Sequence, residues 1–403
     1  MSLSRKALIA ISVFNLFRGV SIGLYQALFP MYIVTLGYSM SSLGVIISGS
    51  SLLAGLLSPM MGSFIENRGA KTAVVMTGLL FSTSFFLLII GDYPFLLFLS
   101  YATFFLSFAL SQPARATYLA YSASVTSLGT YIGLSSTAFS IGRMIGPGGG
   151  GLLAGRAGFE EAFLAGLSII LWATLVFYIS APSVGRPGRS APTRKSLIST
   201  SYRELVSLGR EAPLLYATVA VDRFAWTLWF PMLSAHLYSS GLSEELSGMT
   251  LTLMSVAQTL SLPFWGRLVD KLDPKSVIAG SEILGVASIA LIIDPYPLAR
   301  AMAGGFLIGL SIGAWVPSYN KIVALVFKKR LGEAYASVNS LRMLSGSPSP
   351  LIGGALYENL GSLPVFALSS AILMIASILS LKIQTSHTIH TTRTQKHPLE
   401  TSS

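Results

Sequence analysis

Arg18, Arg143, Asp222, Arg223, Glu282 and Arg342 each stand inside a long apolar stretch of this 403-residue chain. Ionisable groups at membrane depth are costly, so they are expected to face a cavity or a partner charge. Arg18 lies about 16 Å into its stretch at helical rise, near the middle of a bilayer. On a helix Asn15, Arg18, Ile22, Tyr25, Gln26 and Phe29 share one stripe, which reads as a polar and aromatic cavity wall. Asp222 precedes Gly241 by the same 19 residues that separate Arg18 from Gly37. Arg18 is therefore expected opposite Asp222. Trp226, Trp229, Leu233 and His236 share the Asp222 face, and Arg223, Thr227 and Phe230 lie beside it. Three chemistries are open to such a set: a structural salt bridge at Asp222, proton exchange on its carboxyl, or an anion clamp made by Arg18 and Arg223. Contact between Asp222 and either arginine argues against the clamp, and guanidinium groups unpaired in a cavity argue for it. The salt bridge is favoured. Glu282 is a second candidate for proton exchange, with a structural role favoured. Arg143, Arg342, Gln258, Trp315, Tyr319 and Asn320 are further candidates for the pathway wall. Arg115 and Lys321 lie near the ends of their stretches and are expected to snorkel.

The elements that hold these residues are membrane helices. The chain is 52% hydrophobic and 11% charged, with a mean hydropathy of +0.67. About 20 apolar residues suffice to span a bilayer as helix, and backbone groups in lipid must be bonded within the segment. Twelve spans are expected, roughly 7–36, 42–64, 71–91, 94–118, 129–154, 160–181, 212–239, 245–267, 275–294, 298–327, 332–357 and 362–383. Arg5 and Lys6 before an apolar stretch resemble a signal peptide, but the stretch is too long and no Ala-x-Ala site closes it, so it reads as a retained first helix. The net charge of +11 is not a nucleic-acid footprint, because of where it lies. Nineteen of the 27 Lys and Arg residues fall at the termini and in the even-to-odd connections; the opposite loops hold only Arg156 and Arg300. This is the positive-inside pattern and puts both termini in the cytoplasm. Residues 183–211 form a basic cytoplasmic linker between an amino-terminal bundle, 1–182, and a carboxy-terminal bundle, 212–383; residues 384–403 read as a polar tail.

The two bundles are repeats. Gly62, Glu66 and Lys71 match Gly266, Asp270 and Lys275 at an offset of 204. Gly37 to Gly44 matches Gly241 to Gly248, and Pro113 matches Pro317, at the same offset. Pro147, Gly150 and Gly151 match Pro350, Gly353 and Gly354 at 203. In this repeat the chain resembles a major facilitator superfamily transporter, over nearly all of its length. The loop motif Gly-x-Leu-x-Asp-Arg/Lys-x-Gly-Arg-Lys is kept in part in both halves, with Phe64, Asn67 and Ala70 departing in the first and Asp273 standing for Gly in the second. Gly142-Arg-Met-Ile-Gly146-Pro147-Gly-Gly-Gly150-Gly151 resembles the Gly-x-x-x-Gly-Pro-x-x-Gly-Gly motif of that family's drug/proton antiporters. Glycines at every fourth position make a smooth packing face, and Pro147 permits a bend.

The resemblance implies an all-α fold of twelve helices in two pseudo-symmetric six-helix bundles. It implies a plasma-membrane secondary transporter of a small organic solute, working by alternating access as proton-coupled export or antiport. An organic-anion or organophosphate carrier is the alternative, Arg18 and Arg223 being similar to the paired arginines of the family's organophosphate exchangers. Gly62, Glu66, Lys71, Gly266, Asp270, Lys275, Gly142, Gly146, Pro147, Gly150 and Gly151 are the expected gating residues. No enzyme is expected: the glycine run at 148–151 lacks the Lys-Ser/Thr of a phosphate-binding loop, and there is no His-Glu-x-x-His. With no cysteine, thiolate metal sites are excluded. The expected partners are a small-molecule substrate and the lipid bilayer, with no nucleic acid, no metal and no cofactor, a proton gradient as energy source and a monomer as the unit. His387, His390 and His397 read as part of the tail.

Overall fold

The computed structural model describes residues 3–122, 127–183, 205–327 and 331–383. The linker and tail residues outside those ranges, including His387, His390 and His397, lie outside the described residues. Among the described residues there is no strand. The first bundle consists of α1 (Leu3–Thr35), α2 (Met40–Arg68), α3 (Ala70–Ile90), α4 (Pro94–Ser122), α5 (Leu128–Ala157) and α6 (Phe159–Ser180). The second consists of α7 (Pro213–Thr227), α8 (Leu233–Ser239), α9 (Glu244–Lys271), α10 (Pro274–Ile292), α11 (Leu298–Val326), α12 (Leu331–Gly346), α13 (Ser349–Leu360) and α14 (Ser362–Leu381). Eight described helices are long and apolar enough to cross a membrane: α1 to α4, α6, α10, α11 and α14. The rest are the Gly- and Ser-rich α5, the polar-ended α9 and the short pairs α7–α8 and α12–α13.

Those pairs correct two of the expected continuous spans. The span 212–239 breaks after Thr227 into a 3-10 turn, Phe230–Met232, and resumes as α8. Pro231 in that turn has no N–H to continue the helical ladder. The span 332–357 breaks between Gly346 and Ser349, at Pro348. The two breaks touch: the Thr227 and Ser349 hydroxyls hydrogen-bond at 2.5 Å.

The repeat is visible in the turns. Gly37 and Gly241 both take positive φ, 82° and 97°. The hydroxyls of Ser39 and Ser243 then cap α2 and α9 by accepting from the Ser42 and Leu246 amides. The other hinge pair differs. Gly69 turns the chain at φ 88°, whereas Asp273 caps α10 from an extended conformation, with Pro274 at the first helical position. The missing glycine of the second loop motif is thus replaced by a cap that needs no positive φ.

Inside the first bundle α1 and α5 interlock through glycines. A Cβ at Gly146 would fall 2.9 Å from the Gly23 Cα, and one at Gly142 would fall 3.0 Å from the Gly19 Cα. Three described hydrogen bonds join the bundles at one end. The Gly148 amide donates to Thr252 Oγ1 at 2.8 Å, and its repeat equivalent, the Leu351 amide, donates to Ser48 Oγ at 2.8 Å. The Ser41 amide donates to Glu358 at 3.2 Å. Glycines close the same seam: Gly248 packs on Pro147 and Gly151, and Gly44 on Pro350. At the opposite end, Gly266 has nothing within 4 Å of where a Cβ would stand. The molecule is therefore sealed at the end carrying Gly37 and Gly241, with the basic hinges Arg68–Lys71 and Lys271–Lys275 at the other.

Candidate functional site

Between the bundles lies a cavity of about 320 Å³, the size class that takes a small organic molecule. α1 contributes Gly23, Gln26 and Ala27; α4 contributes Tyr101, Phe104, Phe105 and Phe108; α5 contributes Arg143 and Pro147. The second bundle contributes Asp222, Arg223, Trp226, Phe230, Leu233, Met254, Ser255, Gln258, Trp315 and Arg342, among others. Of the expected pathway residues, Gln26, Arg143, Asp222, Arg223, Trp226, Gln258 and Arg342 thus meet in one space.

The charged groups of the second bundle form a cluster. Asp222 is buried and lies beside the fully buried Glu282 of α10. The indoles of Trp226 and Trp315 flank Glu282, close enough to interact but outside hydrogen-bond geometry. Arg223 and Arg342 stand within electrostatic reach of Asp222, yet neither makes a salt bridge with it. The Arg342 guanidinium sits over the Trp315 ring, 4.4 Å from its centroid, a cation–π contact. Trp315 in turn stacks on Tyr319 at 4.7 Å. The favoured salt bridge at Asp222 gives way here to a carboxyl pair set among arginines. The packing of Glu282 against α7 cannot be read from spacing along α10.

Arg18 departs most from expectation. It is 1% exposed, does not line the cavity, and does not face Asp222. Its guanidinium lies 5.6 Å from the Phe139 ring, and that of Arg115 lies 5.4 Å from the same ring. Arg115 donates to Asn15 Oδ1 at 2.9 Å, and Asn15 donates to the Ser135 carbonyl at 3.1 Å. Arg115 is thus bonded within the bundle rather than snorkelling. The glycine interlock sets this rotation: with Gly19 and Gly23 against α5, the Asn15–Arg18 face turns into the bundle and Gln26 turns to the cavity. Tyr25 goes inward too, bonding Ser100 at 2.8 Å within a cluster of aromatic rings. Trp229 follows the break after α7 and donates its indole N–H to Ser369 at 3.0 Å. His236 ties α8 to Tyr357 and to the Ile292 carbonyl. Tyr319 is buried behind Trp315, and Asn320 is exposed. The α4 aromatic wall is absent from the sequence expectations. Four aromatics over eight residues of an apolar span look the same from sequence whether they face lipid or a cavity.

The hinge residues divide into two groups. Lys71 Nζ donates to the Ala181 carbonyl at 2.6 Å, a cation on the open carbonyls at the end of α6. Lys275 pairs with Asp273 at 3.6 Å, and Asp270 with Lys321 at 3.8 Å. Glu66 is exposed, and Gly62 lies within α2. Gly266 makes no close helix approach in this conformation. Gly142, Gly146 and Gly150 pack on α1, while Pro147 and Gly151 meet α9 across the seam.

Two copies of the Major Facilitator Superfamily sequence profile match residues 11–221 and 215–401, which together cover nearly the whole chain. The chain belongs to the Major Facilitator Superfamily. It is a membrane-embedded transporter with a twelve-span plan in two repeated halves and not an enzyme. It is 24% identical over 379 residues to a multi-drug resistance efflux pump, PmrA, of Streptococcus pneumoniae, covering 91% of this chain and 93% of that protein. It is 24% identical over 244 residues to the multidrug resistance protein MdtG of Escherichia coli, covering 58% of each. Among solved structures, a point mutant of the nucleoside transporter NupG superposes with a TM-score of 0.72 at 14% identity, over 93% of this chain and 99% of that one. A bacterial homologue of the human lysosomal transporter Spinster, in its inward-facing and unoccupied conformation, gives 0.71 at 12% identity, over 95% and 99%.

Proposed function

We propose that this transporter exports a small amphipathic organic solute across the plasma membrane in exchange for protons. The observation that carries the reading is the carboxyl pair Asp222 and Glu282, with Asp222 on the cavity surface and Glu282 fully buried behind it. Two carboxyls side by side in a low-dielectric wall repel when both are ionised, so the pair holds a proton whose release responds to what fills the cavity. Solute and proton then share one cavity, and the carrier moves each of them in its own half of the cycle. Alternating access follows from rocking of the two repeats about the site. The antiporter-type motif in α5 and the likeness to multidrug efflux proteins support export. The basic hinges at the unsealed end support cytoplasmic termini, and hence a cavity facing the cytoplasm here. A cavity built wholly from one chain supports a monomer as the working unit. The alternative clamp loses Arg18 to burial, while Arg143 and Arg342 join Arg223 at the cavity and keep anion carriage open.

The test is accumulation in proteoliposomes. Antiport concentrates solute in the acidic compartment. Asp222→Asn and Glu282→Gln are expected to abolish that accumulation and to spare solute–solute counterflow. Accumulation that ignores the pH gradient overturns the coupling.

A further inference from the structure

We infer that the cavity selects amphipathic organic anions, with the head group held at Arg143 and the apolar part on the aromatic wall of α4. The inference names the substrate class for the proposed export site; for transport it rests on that reading, for binding it does not.

The charge inventory comes first. Three guanidinium groups line the cavity, Arg143, Arg223 and Arg342, against the one lining carboxyl of Asp222 and the Glu282 behind it. Arginine stays protonated in proteins. The wall is therefore net positive whether the carboxyl pair carries two protons, one or none. A cationic solute meets repulsion in each of those states, and an anionic one meets attraction.

The position of the head group follows from which arginine is uncompensated. Arg223 and Arg342 share the field of Asp222. Arg143 stands on the opposite wall, and α1, α4 and α5 contain no acidic residue at all. Arg18 and Arg115 lie in that same bundle and add charge of the same sign. Arg143 Nε is buried with no hydrogen-bond partner. The residue also lines a side niche of about 30 Å³ with Ser140, Ser255, Gln258 and Thr259, room for one oxygen-sized group. A guanidinium edge surrounded by hydroxyl and amide donors suits a carboxylate, sulfonate or phosphate oxygen through charge-assisted hydrogen bonds. Phe104, Phe105 and Phe108 line the main cavity and not the niche, and give it an apolar surface.

The test uses three probes with one ring system: naphthalene-2-sulfonate, 2-naphthyl phosphate and 2-naphthylmethyl-trimethylammonium. Each is titrated calorimetrically into the purified full-length protein. The sulfonate or the phosphate is expected to bind at least about tenfold tighter than the ammonium probe, and the better of the two identifies the head group. Arg143→Gln is expected to weaken the anion about tenfold or more and to leave the cation unchanged or tighter. Asp222→Asn is expected to act the other way and tighten the anion. A folding defect would weaken all probes together and cannot produce opposite signs. Equal or tighter binding of the ammonium probe, no binding by any probe, or an Arg143→Gln variant with unchanged anion affinity overturns the inference. Proton-driven export of the ammonium probe would sink it and leave the export reading standing. Tight anion binding without proton-driven transport would do the reverse.

Discussion

Gly151→Ala introduces one methyl group into the seam between α5 and α9. The new Cβ would stand 3.1 Å from the Glu244 carbonyl carbon and 3.2 Å from the Gly248 Cα. Both neighbours are backbone and cannot rotate away. Overpacking of this kind costs about 1–3 kcal/mol. The cost falls only on the conformation in which these helices touch, because alternating access separates them in the other. The ratio of the two conformations is therefore expected to move about 5–150-fold away from the sealed state seen here. Gly146→Ala is the control. Its Cβ would stand 2.9 Å from the Gly23 Cα, within one bundle, so it burdens both conformations alike and lowers thermal stability without moving the ratio. The chain has no cysteine, so a spin-label pair at Asn67→Cys and Lys271→Cys, both exposed at the unsealed end, can be read by pulsed electron paramagnetic resonance. Gly151→Ala should shorten that distance as the end closes. Its repeat equivalent Gly354→Ala, which meets Met40, should do the same. An equal shift from Gly146→Ala, or a fall in stability with no shift from Gly151→Ala, would refute the reasoning.

Three further outcomes can be measured. Asp222 and Glu282 act as one proton-holding unit, so Asp222→Asn, Glu282→Gln and the double variant should reduce pH-driven accumulation equally rather than multiplicatively; additive losses would mean two independent sites. Exchange of one monovalent anion outward for one proton inward moves two charges, worth about 2.3 kcal/mol each per 100 mV. Accumulation should then respond steeply to a potassium–valinomycin potential, whereas cation–proton exchange would not respond. Thr227→Val removes the hydroxyl bridge to Ser349 between the two broken spans and should destabilise the second bundle by about 1 kcal/mol, read as a lowered thermal midpoint.

The fold is legible in the sequence because its determinants are long-range and repetitive. Apolar length, basic loops and the 204-residue offset define helices, ends and halves without reference to any particular contact. The breaks at Pro231 and Pro348 are not, since a proline inside a membrane helix is tolerated elsewhere in this chain: α1 runs through Pro30 and α4 through Pro113. The site is legible by residue type more than by placement. An arginine at membrane depth must have a reason to be there, and Arg143, Arg223 and Arg342 do reach the cavity. Helical stripes give the right neighbours on α1 but the wrong rotation, because rotation is set by the partner. On α1 that partner is the glycine ladder of α5, which fixes Arg18 inward and Gln26 outward.

The seam and the site obey different symmetry, and that separation has a mechanical reason. Across the seam the amide–hydroxyl and glycine contacts have repeat twins: Gly148 with Thr252 and Leu351 with Ser48, Gly151 on Glu244 and Gly354 on Met40. Two equal seams either side of one axis let the bundles part as rigid bodies, since neither seam holds after the other yields. The cavity walls share no such equivalence. One carries Arg143 without an acid, and the other carries a carboxyl pair between arginines. A symmetric wall pair would offer solute and proton the same environment twice. With the charges segregated, solute binding at Arg143 and proton binding at Asp222 and Glu282 act across the same narrow gap through opposite walls. Each wall keeps its own ligand through the rocking motion, because it travels with its own rigid bundle.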